Sequence, residues 1–307
     1  MNIATVIVTY NRKQLLFNCL EAIKKQTYKP KTVYIVDNAS TDGTYEDLVS
    51  FGYANEIEHE ITQEGITFHI IKMPQNIGGA GGFYTGMKTA FENTNCDAIW
   101  VMDDDGVPEP NCLKNLIEYI DQFNYIAPVV RNIDNPKELA FGFWEISLYD
   151  DLIKKYKDQK YIKDMASPFN GILYSRKLIK EVGYPKKELF IWGDEINYDL
   201  RCKNAGFYPV TIIKAEHYHP LNRVVKEKTI LGQSVIQAPM WKAYCSFRNR
   251  IYNYRHCKKK LGILKIYVAH CYYFTFQKPS WKWLLCYNKA FFAGLFGIFG
   301  GERYYMK

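Results

Sequence analysis

Four short runs of apolar, mostly β-branched residues recur in the first third of the chain, each followed by a loop and then by helical spacing. They are 3–9 (Ile-Ala-Thr-Val-Ile-Val-Thr), 32–36 (Thr-Val-Tyr-Ile-Val), 68–71 and 98–102 (Ala-Ile-Trp-Val-Met). A strand that is apolar on both faces must be covered on both faces, which is the situation of a parallel strand between two helical layers. Between the first two runs, Leu15, Leu16, Cys19, Leu20 and Ile23 fall at helical spacing. A glycine-rich loop over 78–86 leads into a helix through about Phe91, and another helix follows Pro108 and Pro110. Repeated β-α units of this kind predict a parallel α/β sheet that binds its ligands beyond the carboxyl ends of its strands.

The rest of the chain is less regular. Residues 137–165 carry no clear pattern; 176–182 and 194–205 read as helices, with Gly206 as a C-cap, and 210–213 reads as a strand that leads into Glu216-His217-Tyr218-His219-Pro220. From 241 onward the sequence is helical, aromatic and basic. It holds 13 Lys/Arg and one acid, Glu302, whereas residues 1–240 hold 27 Lys/Arg and 31 Asp/Glu. The expected division is therefore a sheet domain over 1–240 and a helical extension over 241–307 that faces something anionic. Eight scattered cysteines (19, 96, 112, 202, 245, 257, 271 and 286) without a C-x-x-C pair read as reduced thiols rather than a zinc or disulfide framework. The first residues read as a strand, not a signal peptide, and no run of 18 uncharged apolar residues suits a membrane span.

The sharpest chemical feature is Asp103-Asp104-Asp105, directly after Ile-Trp-Val-Met. Three successive carboxylates repel one another and persist where a cation or hydrogen-bond donors compensate them. Carboxylates suit Mn²⁺ or Mg²⁺, which bridge substrate phosphates; a solvated acidic turn is the plainer alternative. The run from Asn76 to Phe83, with Gly79 inside it, offers bare backbone amides to a phosphate or sugar, or is a simple tight turn. Its spacing matches neither a dinucleotide fingerprint nor a Walker A loop. Asp37 follows the second strand, placed for a base or ribose or to stabilise its turn. Asp194 and Glu195 open a helix, either as caps or with one of them as a general base. Of His217 and His219, at most one is expected to face the triplet.

Taken in order, these motifs resemble those of the inverting family 2 glycosyltransferases with a GT-A fold. Val8-Thr9-Tyr10-Asn11-Arg12 is similar to their opening strand motif, and 36–44 to their base-binding loop. The run 76–83 followed by 100–105 is similar to the galactofuranosyltransferase-like branch. Phe190 to Arg201 resembles the acceptor-side acidic motif, and Arg248-Asn249-Arg250 a basic motif that follows the catalytic domain. The similarity spans roughly 3–255. It implies a Rossmann-like, mostly parallel sheet flanked by helices, with a basic-aromatic helical extension.

The resemblance also implies roles. Asp37 binds the base, with Thr9 near it, and Asn76, Gly79, Asp103 and Asp104 contact the donor. Asp103, Asp105 and His219 hold Mn²⁺ or Mg²⁺, with Asp105 as the direct ligand. Glu195 is the base, although the family usually has Asp there, and Asp194 is the reserve; Asn197 stands where an acid is common. The implied reaction is a single displacement from a sugar nucleotide, with UDP-galactofuranose the leading donor and dTDP-rhamnose behind it. The acceptor is a hydroxyl of a glycan or lipid-linked glycan in cell-surface polysaccharide synthesis. A peripheral place on the cytoplasmic face of the membrane follows for the extension, with homo-oligomerisation as its alternative. A nucleotidyltransferase would need a basic, glycine-rich first loop, and 9–14 contains no glycine. A nucleic-acid binder fits poorly with the acidic excess of residues 1–240.

Overall fold

The computed structural model describes residues 1–53, 60–143, 145–221, 225–256 and 260–306, so Cys257 lies outside the described residues. The elements in chain order are β1 (Ile3–Thr9), α1 (Lys13–Lys24), β2 (Thr32–Asp37), α2 (Thr44–Ser50), β3 (Glu60–Gln63), β4 (Ile66–Lys72), α3 (Gly78–Asn93) and β5 (Ala98–Asp103). Then come β6 (Val107–Pro108), α4 (Cys112–Ile117), β7 (Tyr125–Asn132), β8 (Glu138–Phe143), β9 (Ile146–Leu148), α5 (Tyr149–Lys155), β10 (Tyr161–Lys163), β11 (Asn170–Ser175) and α6 (Arg176–Val182). The chain ends with α7 (Asp194–Asn204), β12 (Val210–His219), β13 (Lys226–Lys228), β14 (Ser234–Ile236), α8 (Met240–His256), α9 (Lys260–Tyr272) and α10 (Trp281–Phe296). It separates into two compact units, Met1–Pro185 with Tyr198–Asn222, and Lys186–Asn197 with Arg223–Lys307.

The first unit is built on one sheet in the order β10-β12-β7-β11-β5-β1-β2-β4-β3. β4, β2, β1 and β5 run parallel, β12 runs parallel to β7, and β11 is antiparallel to both of its neighbours. The period of two sorts the side chains of each buried strand between two cores. Ile3, Ile7, Trp100 and Met102 join Leu16, Leu20 and Leu113 on one face, while Val6, Val8, Ile99 and Val101 join Phe83, Met87 and Ala90 on the other. Burying each such side chain contributes about 1.5–3 kcal/mol. The residues with no sequence pattern supply short β8, β9, α5 and β10, which close a small cluster of Leu139, Phe143, Leu152 and Ile162 against Val129.

The expected loop over 78–86 is instead helix: α3 starts at Gly78 itself. Gly82 and Gly86, four apart, lie on one helical face. A Cβ on Gly82 would stand 2.4 Å from Val8 Cγ1, and one on Gly86 would stand 2.4 Å from Val6 Cγ1 and 2.9 Å from Val36 Cγ2. Missing side chains here let α3 lie close on β1 and β2, so at these two positions glycine serves packing, not approach to a phosphate. Gly79 differs, with nothing within 4 Å of its Cβ direction.

The second unit, taken alone, packs α8, α9 and α10 around Ala243, Phe247, Ile251, Ile266, Phe274, Tyr287 and Phe291, with the β13–β14 hairpin contributing Val235. A Cβ on Gly294 of α10 would lie 2.3 Å from the Arg248 carbonyl oxygen, so the two helices cross at backbone distance. The seven described cysteines are free thiols.

Candidate active site

The chain fills the sheet from β1 through β2 to β4 and then returns to place β5 on the other side of β1. Such a reversal opens a crevice at the carboxyl ends of the two strands. β1, β2 and β5 end level there: Thr9 is in register with Asp37, and Val8 with Asp103. Thr9, Asp37, Asp103 and Asp104 are thus brought to one edge.

Asp37 is fully buried. Its Oδ1 accepts the Ser40 amide at 2.9 Å, while Oδ2 has no hydrogen-bond partner among the described residues. A buried carboxylate oxygen without a donor is costly unless a ligand supplies one. The neighbouring Asn38 ties the edge of α3 to β2: its Nδ2 donates to Asn76 Oδ1 and to the Gly78 carbonyl, both at 3.1 Å, and its Oδ1 accepts the Ile77 amide at 3.0 Å. Asn76 Oδ1 also accepts the Gly78 amide at 2.8 Å. Asn76 therefore shapes the turn into α3 with its own side chain.

The three aspartates differ. Asp104 is buried; its Oδ2 accepts the Thr9 hydroxyl at 2.7 Å, and burial pushes its pKa up to about 6 against the pull of Arg12. Asp103 keeps an accessible edge, yet desolvation, with the charge of Asp105 next, pushes it up to about 8. For Asp105 burial also works against the charge, but His219 and Arg12 outweigh it and hold the carboxyl below its ordinary value. Arg12 Nη1 lies 3.4 Å from Asp104 Oδ1 and 3.0 Å from Asp105 Oδ2. Arg12 had no role assigned from sequence alone. The signal for it was its place at the carboxyl end of β1, the strand next to β5.

His217 and His219 both lie on β12, two residues apart. The expectation that only one can face the triplet rested on alternation, but residues two apart on a strand share a face. A Cβ on Gly106, which follows the triplet, would stand 2.5 Å from His217 Nε2, and one on Gly171 would stand 2.9 Å from His217 Nδ1. His217 is therefore a buried wedge under the acidic turn, with its pKa pushed down to about 3 by burial and neither ring nitrogen hydrogen-bonded among the described residues. His219 reaches further, to put Nε2 at 3.0 Å from Asp105 Oδ1.

The residues fit a divalent cation. His219 Nδ1 is 2.7 Å from the Pro220 carbonyl oxygen, which assigns the ring proton to Nδ1. Nε2 then faces Asp105 Oδ1; in the cation-free chain a proton shared there raises the His219 pKa against the desolvation of burial, and a divalent cation would take that proton's place between the same two atoms. Ligand atoms of Asp103, Asp105 and His219 all lie within 4.8 Å of one another, and carboxylate with imidazole is a donor set for Mn²⁺ or Mg²⁺.

Asp194 and Glu195 lie in the second unit, in the first turn of α7. Asp194 is buried; Glu195 is half-buried, and its Oε2 accepts the Gly193 amide at 2.8 Å.

Known proteins share this architecture. The chain is 29% identical over 261 residues to the galactofuranosyltransferase GlfT1 of Mycolicibacterium smegmatis, covering 81% of this chain and 82% of that one. It is 26% identical over 314 residues to the dTDP-rhamnosyl transferase RfbF of Shigella flexneri, covering 99% and 98%. The mannosyltransferase PcManGT of Pyrobaculum calidifontis, solved with GDP-Man and Mn²⁺, superposes with a TM-score of 0.54 at 15% identity over 99% of this chain and 77% of that one, a likeness of fold. With that GT-A architecture, and a model of glycosyl transferase family 2 matched over residues 5–183, more than half of its length, the chain is a glycosyltransferase and belongs to family 2.

Proposed function

We propose that the protein transfers a sugar, with inversion, from a UDP-sugar to a hydroxyl of a glycan or lipid-linked glycan, and that galactofuranose is the sugar. The observation that carries the nucleotide-sugar reading is the level edge of β2, β1 and β5. It sets Asp37, with its buried, open carboxylate oxygen, and Asp103, of the Asp103-Asp105-His219 cluster, at the ends of the two strands that flank β1. A nucleoside diphosphate has that order of groups, with a base or ribose donor at one end and phosphates at the other. The similarity to GlfT1 over four-fifths of both chains supports galactofuranose.

In this reading Asp37 accepts a hydrogen bond from the base, with Thr9 beside it, and Asn76 and Gly79 line the donor. Asp103, Asp105 and His219 hold Mn²⁺ or Mg²⁺, with Asp103 and Asp104 turned to the donor. A divalent cation bound there supplies Lewis-acid neutralisation of the charge on the leaving diphosphate. Arg12, already against Asp104 and Asp105, adds positive charge on the same side. Glu195 takes the proton from the acceptor hydroxyl as its oxygen attacks the anomeric carbon, and inversion follows from the single displacement. Glu195 suits this better than Asp194, which is buried, although Asp194 is the reserve.

A second reading, rhamnosyl transfer from dTDP-rhamnose, is favoured by the match to RfbF along nearly the whole of both chains. A thermal-shift panel of UDP, dTDP, GDP and CMP, each with and without Mn²⁺, separates the two. A ligand selective for the folded state raises apparent stability by mass action. A rise with UDP that requires Mn²⁺ is the expected result; a rise with dTDP alone moves the assignment to rhamnose, and none with any nucleotide defeats both.

We assign the catalytic machinery to residues 1–240 and membrane contact to 241–307. Among the described residues no helix is long and apolar enough to cross a membrane. Leu264, Val268, Tyr272 and Phe276 repeat every four residues and are exposed, as are Trp281, Leu285, Phe292 and Phe296 along α10. Lys265, Lys282 and Lys289 are exposed among them, and the one acid of this stretch, Glu302, is buried against Arg248. An apolar stripe set among lysines suits the surface of an anionic bilayer, and the cytoplasmic face is where we place it.

A further inference from the structure

The basic motif Arg248-Asn249-Arg250 contains a heavily used side-chain amide. Asn249 is fully buried on α8, and its Nδ2 donates to three backbone carbonyls in succession: Leu189 at 2.8 Å, Ile191 at 3.0 Å and Trp192 at 2.8 Å. Arg248 Nη2 donates to the Leu189 carbonyl as well, at 2.8 Å, and its Nε donates to Asn249 Oδ1 at 2.9 Å, which fixes the way the amide faces. One helical turn on, Asn253 Nδ2 donates to the Gly193 carbonyl at 2.7 Å, and Asn253 Oδ1 accepts Asn197 Nδ2 at 3.0 Å.

The segment they hold would not adopt this shape by itself. Phe190, Trp192 and Gly193 have φ of 67°, 58° and 95°, and neither of the first two is a residue that tolerates the left-handed region. Such strain persists where the surroundings over-determine it, and it concentrates at functional sites. The strained turn ends at Gly193, whose amide donates to the Glu195 carboxylate. A single peptide chain thus links the two: Asn253 grips the carbonyl of Gly193, and the amide of Gly193 grips Glu195. A Cβ on Gly193 would lie 3.1 Å from Asn249 Cβ, so the fit is close on the α8 side too.

We propose that Asn249 and Asn253 are positioning residues for the acceptor side of the reaction, holding the Glu195 carboxylate in place through the strained turn Leu189–Gly193. This rests on Glu195 being the base. The test uses the full chain with Mn²⁺ and follows UDP release from UDP-galactofuranose with water as acceptor, whose proton the same base must take. Asn253→Asp keeps the shape and turns donors into acceptors facing a carbonyl; Asn249→Asp does the same.

Each is expected to lower kcat about tenfold to a hundredfold, the size of effect that a small misplacement of a reacting group produces. The donor KM and the UDP-induced thermal shift are expected to remain at their wild-type values. Glu195→Gln is expected to cost about a hundredfold or more, and the double variant Glu195→Gln/Asn253→Asp no more than Glu195→Gln alone. Wild-type kcat in both Asn variants beside a crippled Glu195→Gln overturns the positioning role alone, as do losses that multiply in the double variant. Wild-type kcat in Glu195→Gln removes the base assignment, and the positioning proposal falls with it. Should Asn253→Asp not fold, Asn253→Ser, which shortens the reach without adding charge, takes its place; loss of the UDP shift in both would make the asparagines structural and overturn the proposal.

Discussion

At Asp103 desolvation and the neighbouring charge of Asp105 act in the same direction, and the pKa of about 8 has a measurable consequence. In the unfolded chain the carboxyl titrates near its ordinary value, so between about pH 4 and pH 8 the metal-free folded state holds a proton that the unfolded state has released. Stability then falls as pH rises through that window. His219 acts in the same sense. Burial opposes its protonation, but Asp105 and Asp103 outweigh burial and raise its pKa, so the stability it contributes when charged is lost as pH rises through that raised value. A cation bound by these groups must displace both protons, so its affinity rises with pH. The Mn²⁺-induced increase in melting temperature is expected to be larger at pH 8 than at pH 6, and to vanish in Asp105→Asn. Equal increases at both pH values would contradict the assignment of Asp103 and His219 to the cation. The acidic triplet stood out in the sequence because the chemistry of three adjacent carboxylates is visible in the residue types alone, whereas only the family resemblance picked His219 over His217. Arg12 and Asn38 did not, since their partners lie 92 and 39 residues away, just after β5 and just before α3, and only the strand order makes them neighbours.

At the scale of elements, β1, β2, β4 and β5 and the helices α1, α6 and α7 follow from periodicity because each is either buried on both faces or strongly one-sided. The strands β3, β9 and β10 were not legible: three- and four-residue strands carry too little pattern to separate from a loop. α3 is the instructive case. Its glycines read as a loop because glycine is a poor helix former, yet tertiary packing outweighs propensity once Gly82 and Gly86 are the positions that touch Val8, Val6 and Val36. A methyl group placed there must push valines of two central strands. Gly86→Ala is expected to destabilise the protein by about 1–3 kcal/mol, as overpacking of a tight core does, although alanine is the better helix former. Gly79→Ala, with open space around it, is expected to be neutral or slightly stabilising. Urea unfolding of the two variants side by side makes the comparison; a stabilised Gly86→Ala would show that propensity, not the helix–sheet contact, governs α3.

Over the whole molecule the division of charge is the most far-reaching feature. Residues 1–240 carry more acids than bases, and residues 241–307 hold 13 bases against one buried acid. A basic segment is drawn to an anionic surface, and each Lys or Arg near an anionic bilayer contributes about 1 kcal/mol. Charge alone would be screened within about 8 Å at physiological salt, so the apolar part matters: Trp281 is 77% exposed and Phe296 67%, at the two ends of α10. The two contributions separate by experiment. In flotation assays the chain is expected to bind phosphatidylglycerol vesicles and to bind phosphatidylcholine vesicles weakly. Lys265→Glu with Lys282→Glu should abolish the difference, while Trp281→Ala with Phe296→Ala should lower binding to both and leave its salt dependence. The UDP shift should be unchanged throughout. Equal binding to both lipids would mean that the lysines serve another anion. No binding to either, together with self-association that Trp281→Ala weakens, would assign the apolar stripe to a second copy of the chain instead of a bilayer.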